Sequence, residues 1–166
     1  MNDDSTLEVF QQELDMQIAV QGTRDRHGLV IAYMRVAFKH EERGEIEKAA
    51  MHYHSAAKAA VMYYPTYTYR AYAGLARLHE AQGKFEAALA YLALVYDSTV
   101  VASLDGHLYF TSVVRIKDKQ GKYSEALACC REAVTTLRPN DPRRKVFADR
   151  VTAAAAGATA TELGII

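Results

Sequence analysis

Apolar residues recur along most of the chain at spacings of three and four, the period of amphipathic helices, and the pattern breaks at regular places. Leu7, Phe10, Leu14 and Ile18 form the first stripe, introduced by Ser5-Thr6-Leu7-Glu8, which has the form of a capping box. Residues 5–21 are therefore predicted as an amphipathic leading helix, and Thr23 to Gly28, polar and bracketed by glycines, as a short linker. Further helices are expected over 29–43 and 45–64, 66–82 and 84–100, and 103–120 and 122–137. A single glycine, Gly44, Gly83 or Gly121, stands between the two members of each pair. Pro65 interrupts the chain after the first pair, and Arg138-Pro139-Asn140-Asp141-Pro142 closes the third. Val146, Phe147 and Val151 mark a capping helix within 142–157, and residues 158–166 are expected to fray. The chain reads as one all-α domain, 1–166, with three helical hairpins at 29–64, 66–102 and 103–138.

The glycines belong to a signature that occurs three times: Gly44-Glu-Ile46-Glu-Lys-Ala49, Gly83-Lys-Phe85-Glu-Ala-Ala88 and Gly121-Lys-Tyr123-Ser-Glu-Ala126. The copies lie 39 and 38 residues apart, a period that points to a repeat array. Aligned on the glycines, the hairpins keep register on both sides. Tyr33, Tyr72 and Phe110 stand eleven residues before the Gly, Val36, Leu75 and Val113 eight before, and Ala37, Ala76 and Val114 seven before. Tyr53, Leu92 and Cys130 follow the signature Ala by four residues, and Ala56, Val95 and Ala133 follow it by seven. Large and small side chains alternate at fixed places because antiparallel helices approach closely only where one offers room for the other.

Composition narrows the classes. Twenty Lys and Arg balance twenty Asp and Glu, which disfavours a nucleic-acid binder, whose affinity rests on clustered cations. No apolar run is long enough to span a bilayer, and the opening Asn2-Asp3-Asp4 does not resemble a secretion signal, so a cytoplasmic protein is expected. Cys129 and Cys130 are adjacent, without zinc or C-x-x-C spacing, and read as reduced thiols. His52 and His54 are two apart and point to different faces of a helix, which argues against a metal pair. No phosphate loop, nucleophile elbow or paired-carboxylate motif occurs, so neither catalytic residues nor a cofactor or metal is expected.

From about residue 30 to 140 the aligned pattern resembles the tetratricopeptide repeat (TPR), with Gly, a bulky residue and Ala following an aromatic and a small residue in the preceding helix. It departs from that family in having His40, His79 and Lys117 where a Tyr is usual, and in its longer period. The resemblance implies a right-handed superhelix of stacked helix-turn-helix hairpins, a TPR-like α-solenoid with capping helices at both ends, whose first helices line a concave groove. The family's groove positions fall on Ile31, Met34 and Phe38 with Glu41 and Glu42, on Arg70 and Arg77 with Ala73, Glu80 and Ala81, and on Thr111, Arg115 and Lys119 with Leu108 and Asp118. The clamp that some members use to hold acidic chaperone tails is absent, since Met34, Phe38, Gly74, Leu108 and Ser112 occupy its positions.

The resemblance implies a non-enzymatic adaptor or scaffold, with a chaperone-like regulator and a subunit of a larger complex both open. It would bind another protein through an extended or helical peptide with apolar and acidic residues. The alternative expectation is a small helical enzyme or ligand-binding protein that uses the His and Tyr residues between the first two units. Tyr63 to Tyr72 holds five of the eleven tyrosines, with Tyr72 assigned to the core and the others to the turn between repeats. His40 and His79 share a repeat position and are expected to pack between helices. Arg70, Arg77 and Arg115 have a second reading as cations paired with Glu80 and Asp118 on their own helices. Finally, the stretch from Asp3 to Gln21 carries five acidic residues and no basic one, whereas Arg143, Arg144, Lys145 and Arg150 lie near the other end. Terminal helices that pair with another copy, head to tail, are a candidate mode of oligomerisation.

Overall fold

In the computed structural model, residues 3–19, 26–61, 64–96 and 106–157 are described. They form eight α-helices: α1 (Asp3–Ala19), α2 (Arg26–Glu42), α3 (Ile46–Ala60), α4 (Pro65–Ala81), α5 (Phe85–Tyr96), α6 (Gly106–Lys119), α7 (Tyr123–Thr136) and α8 (Arg144–Ala155). No strand occurs among the described residues, and no helix there is long and apolar enough to cross a membrane. The chain falls into two compact units, Met1–Leu94 and Val95–Ile166.

The three signature glycines build the same turn. Gly44, Gly83 and Gly121 have φ of 70°, 71° and 70°, the left-handed region in which a Cβ is strained. Each donates its N–H to the carbonyl three residues back, Glu41, Glu80 or Asp118, at 2.9–3.0 Å. The following residue, Glu45, Lys84 or Lys122, donates to the carbonyl five back at 2.9 Å, which completes a Schellman closure. The next helix starts at once, with Ala49, Ala88 and Ala126 each donating to the carbonyl four residues earlier at 3.0 Å.

The register read from the sequence is the register of the core. Ala49, Ala88 and Ala126 are fully buried, as are Tyr53, Leu92 and Cys130, and Ala56, Val95 and Ala133. Val36, Leu75 and Val113 are buried too, as are Ala37, Ala76 and Val114. Eleven residues before the glycine, Phe110 is buried, whereas Tyr33 and Tyr72 remain partly open.

In the first unit, α1 lays Leu7, Phe10, Leu14 and Ile18 against Ala32, Val36 and Tyr33 of α2. A second cluster joins α2, α3 and α4 through Ala37, Ala49, Tyr53, Ala56, Leu75 and Leu78. Gly74 of α4 sits so close to Tyr53 that a Cβ there would lie 2.6 Å from the ring. In the second unit, the Phe110 ring meets Tyr109 edge-on at 5.1 Å and Phe147 of α8 at 6.2 Å. The link between α7 and α8 turns at Arg138–Asp141, and the Asp141 carboxylate accepts the Arg143 N–H at 2.9 Å. Arg144 then reaches back to the Val134 carbonyl at 2.7 Å, a cation on the exposed carbonyls that end α7.

Several local expectations are corrected. Helix α2 begins at Arg26, inside the stretch read as a linker, so Gly28 is helical. Helix α1 already includes Asp3, which places Ser5 within it instead of at its cap. The third helix stops at Ala60, short of Tyr64, and Pro65 opens α4 at the first-turn position where its missing N–H costs nothing. The expected exit of the second hairpin at 97–102, the frayed tail at 158–166 and Tyr63 lie outside the described residues.

His40 and His79 pack between helices as expected. The His40 ring stacks on His52 at 5.4 Å with 6° between planes, and His79 stacks on Tyr91 at 5.3 Å. His52 and Tyr91 hold equivalent places, eight residues after their glycines. Glu45 accepts from His40 Nδ1 and from Lys48, both at 2.8 Å, and these contacts, Lys48 first, hold its carboxyl below the usual range. His52 is buried with an unpartnered Nδ1, and burial, then the neighbouring His40, lowers its pKa below 6.5. His79, also with an unpartnered Nδ1, is lowered by burial, then by Lys84 and His54.

A pH dependence follows. Below 6.5 the unfolded chain protonates these imidazoles while the folded chain keeps them neutral, so stability is fully present above that value and falls as the pH drops toward the folded values. The melting temperature is expected to decrease between about pH 7.5 and about pH 5.5, and to do so less steeply in a His52→Phe, His79→Phe variant. Equal slopes for the two proteins in thermal melts would exclude these histidines as the cause.

Candidate functional site

The groove positions of the third hairpin come together with α8. Thr111, Arg115 and Lys119 on α6 line one wall of a groove of about 600 Å³, and Arg143, Val146 and Arg150 of α8 line the other. Val114 and Phe147 also line it, and their burial marks them as its floor. The walls repeat at helical spacing. Thr111, Arg115 and Lys119 are four apart on α6, and Arg143, the N-cap of α8, is followed by Val146 and Arg150 on the helix itself. Docking of α8 is fixed from the core by Phe147 against Phe110 and at the rim by two polar contacts.

The first rim contact joins Arg150 to Asp118 through two parallel hydrogen bonds of 2.6 and 2.8 Å, with both side chains largely buried. This bidentate geometry suits a guanidinium and a carboxylate, and the Asp118 hydrogen bond raises the Arg150 pKa further. Asp118 is thus held by a cation that comes from α8. In the second contact Arg143 Nη1 lies 2.6 Å from His107 Nδ1. A guanidinium N–H only donates, so Nδ1 is the acceptor and the imidazole proton sits on Nε2.

The groove is strongly cationic. Arg115, Lys119, Arg143 and Arg150 line it together with one carboxylate, Asp118, which Arg150 holds through two hydrogen bonds. With Val114 and Phe147 beneath them and Val146 beside them, the cations can hold a carboxylate beside an apolar side chain.

The first unit treats its candidates differently. Arg77 donates to both oxygens of Glu41 at 2.9 Å, across from α4 to α2, and not to Glu80. Tyr53 donates to the same carboxylate at 2.5 Å, and Arg77 reaches the Tyr53 oxygen at 3.1 Å. Burial, then the Glu41 hydrogen bond, pushes the Tyr53 phenol well above its ordinary value. Arg77 is therefore a tie between three helices. Arg70 lies over the Tyr67 ring at 5.9 Å. Met34 packs on the α2–α4 core, Ile31 is half-buried, and Phe38 is 50% exposed.

Between the first two hairpins, His27 hydrogen-bonds the Tyr67 hydroxyl at 3.0 Å and lies against Tyr64 at 5.2 Å. Tyr69 is buried. Cys129 and Cys130 are free thiols, both buried, and burial pushes Cys129 up to about 12. No group of three potential metal-binding side chains occurs among the described residues.

The α6 wall carries groove positions that the TPR resemblance implied, whereas Arg143, Arg150 and His107 were not among them. Val146 and Phe147 were legible as an apolar stripe, and the seven-residue spacing of Arg143 and Arg150 was the signal that they share its face. Fold and site together define an all-α protein of helical hairpins with a basic, apolar-floored groove on its second unit. Comparison with protein-family models, curated proteins and solved structures finds no match for the chain.

Proposed function

We propose that the chain is a TPR-like adaptor or scaffold without enzymatic activity. In this reading its hairpins stack as a right-handed superhelix and bind another protein through a peptide segment that carries apolar and acidic residues. The observation that carries the proposal is the groove between α6 and α8, where Thr111, Arg115 and Lys119, singled out by repeat register, meet Arg143 and Val146. Its size lies within the range of pockets that enclose ligand side chains. The threefold recurrence of turn and core register supports the repeat assignment. Two buried, free thiols fit the reducing cytoplasm as its place of work.

The test is a titration with a fluorescein-labelled peptide of alternating glutamate and leucine. Arg115→Glu combined with Lys119→Glu is expected to weaken binding at least about tenfold, because like charges across an interface cost several kcal/mol. Both side chains are exposed, so the melting temperature should stay within a few degrees of wild type. Unchanged affinity would remove the groove from the proposal.

A further inference from the structure

The chain has no net charge, yet its charges are segregated. Helix α1 holds acidic residues and no basic one, while the stretch from Arg143 to Arg150 holds four cations and one acid, Asp149. The outer face of α1 also exposes two large apolar side chains. Val9 and Met16 are each 59% exposed, and Glu8 and Asp15, their chain neighbours, are exposed beside them. This face points away from α2, which Leu14 and its stripe occupy. Glu13 is not on offer, since Arg35 holds it at 2.8 Å.

The two faces are opposite in sign, and each sets an exposed apolar side chain beside its charge. On α1 the acid–apolar pairs Glu8-Val9 and Asp15-Met16 are seven residues apart, about 10.5 Å along a helix. Across the groove, Arg143, the N-cap of α8, is followed three residues on by Val146, 68% exposed. A helix laid along the groove can therefore set an acid near Arg143 while a neighbouring apolar side chain covers Val146. The second acid then falls near the cations of α6, Arg115 and Lys119.

We propose that the groove between α6 and α8 receives α1 of a second copy of this chain, so that self-association competes with partner binding. The inference rests on the reading of this groove as a protein-docking surface. The contact is heterologous, because the donor face lies on the first unit and the acceptor on the second, and each copy can give one and take one. Assemblies should therefore grow with concentration and dissolve in salt, which screens exposed charges.

Sedimentation velocity of the full chain at low salt is expected to show a weight-average coefficient that rises with concentration and returns to the monomer value at high salt. Glu8→Arg with Asp15→Arg removes the donor face, and Arg143→Glu spoils the acceptor, so each variant alone should associate at least tenfold more weakly. Val9→Lys is a second donor-face variant. Mixed in equal amounts, the donor-face and acceptor variants should form a dimer that stops there, because one retains an intact groove and the other an intact α1. A mixture that stays monomeric overturns the proposal. Adding the glutamate–leucine peptide should disperse the wild-type assemblies. If the peptide binds the groove while the wild type is monomeric throughout, self-association is excluded and the adaptor reading stands. If neither occurs, both fall.

Discussion

Replacing Gly74 with leucine is expected to destabilise the protein by about 3 kcal/mol, which lowers its melting temperature by roughly 6–12 °C for a chain of this size. A Cβ at this position would meet three atoms of the Tyr53 ring at 2.6, 2.6 and 2.8 Å. The ring cannot step aside at little cost. It is fully buried, and its hydroxyl is held by Glu41 and by Arg77. Even Gly74→Ala should destabilise, although alanine gains about 1 kcal/mol of helix propensity over glycine. In a Tyr53→Leu background the alanine should cost less, because the obstructing ring is gone. Urea denaturation of the four proteins gives the comparison, and a Gly74→Ala variant as stable as wild type would place the contact between α3 and α4 elsewhere.

Phe110→Ala is expected to cost about 3–5 kcal/mol, as for other buried aromatic truncations. Phe110 is fully buried in the second unit and joins α6 to α8 through its contact with Phe147. The cavity would open beneath the groove, so the glutamate–leucine peptide should bind more weakly although no groove cation has changed. The stability loss is read from the urea midpoint. A loss below about 1 kcal/mol would contradict the burial of this ring.

The turns and the core were legible because both are local. A glycine with positive φ, an alanine five residues on and large residues at fixed offsets specify a hairpin without reference to distant segments, and Ala49, Tyr53 and Val36 occupy the depths their register implied. Errors arose where distant packing overrides local preference. Gly28 reads as a breaker, yet it lies within α2, whose Val30 and Ala32 are fully buried. Ser5 has a capping neighbour in Glu8 but the helix starts earlier, at Asp3. The same limit explains the site. The α6 wall was implied by the resemblance to TPR groove positions, whereas the pairings of Arg77 with Glu41 and of Arg150 with Asp118 span 36 and 32 residues, and nothing along a single helix announces them. His79 was legible as a packed residue, but the unpartnered nitrogens of His52 and His79 depend on neighbours from other helices.

The three glycine turns also bear on how the chain leaves the ribosome. Each closes with hydrogen bonds between residues three and five apart, so the loop entropy of joining its two helices is small. A nascent hairpin can therefore settle as soon as its second helix has emerged, without waiting for later sequence, and topologies of this kind fold fast. The long-range ion pairs then act in sequence. Glu41 gains Arg77 only when α4 has been made, and Asp118 gains Arg150 only when α8 has. Each arriving helix thus latches a hairpin that is already in place, and synthesis from the N-terminus follows the order in which the contacts become available.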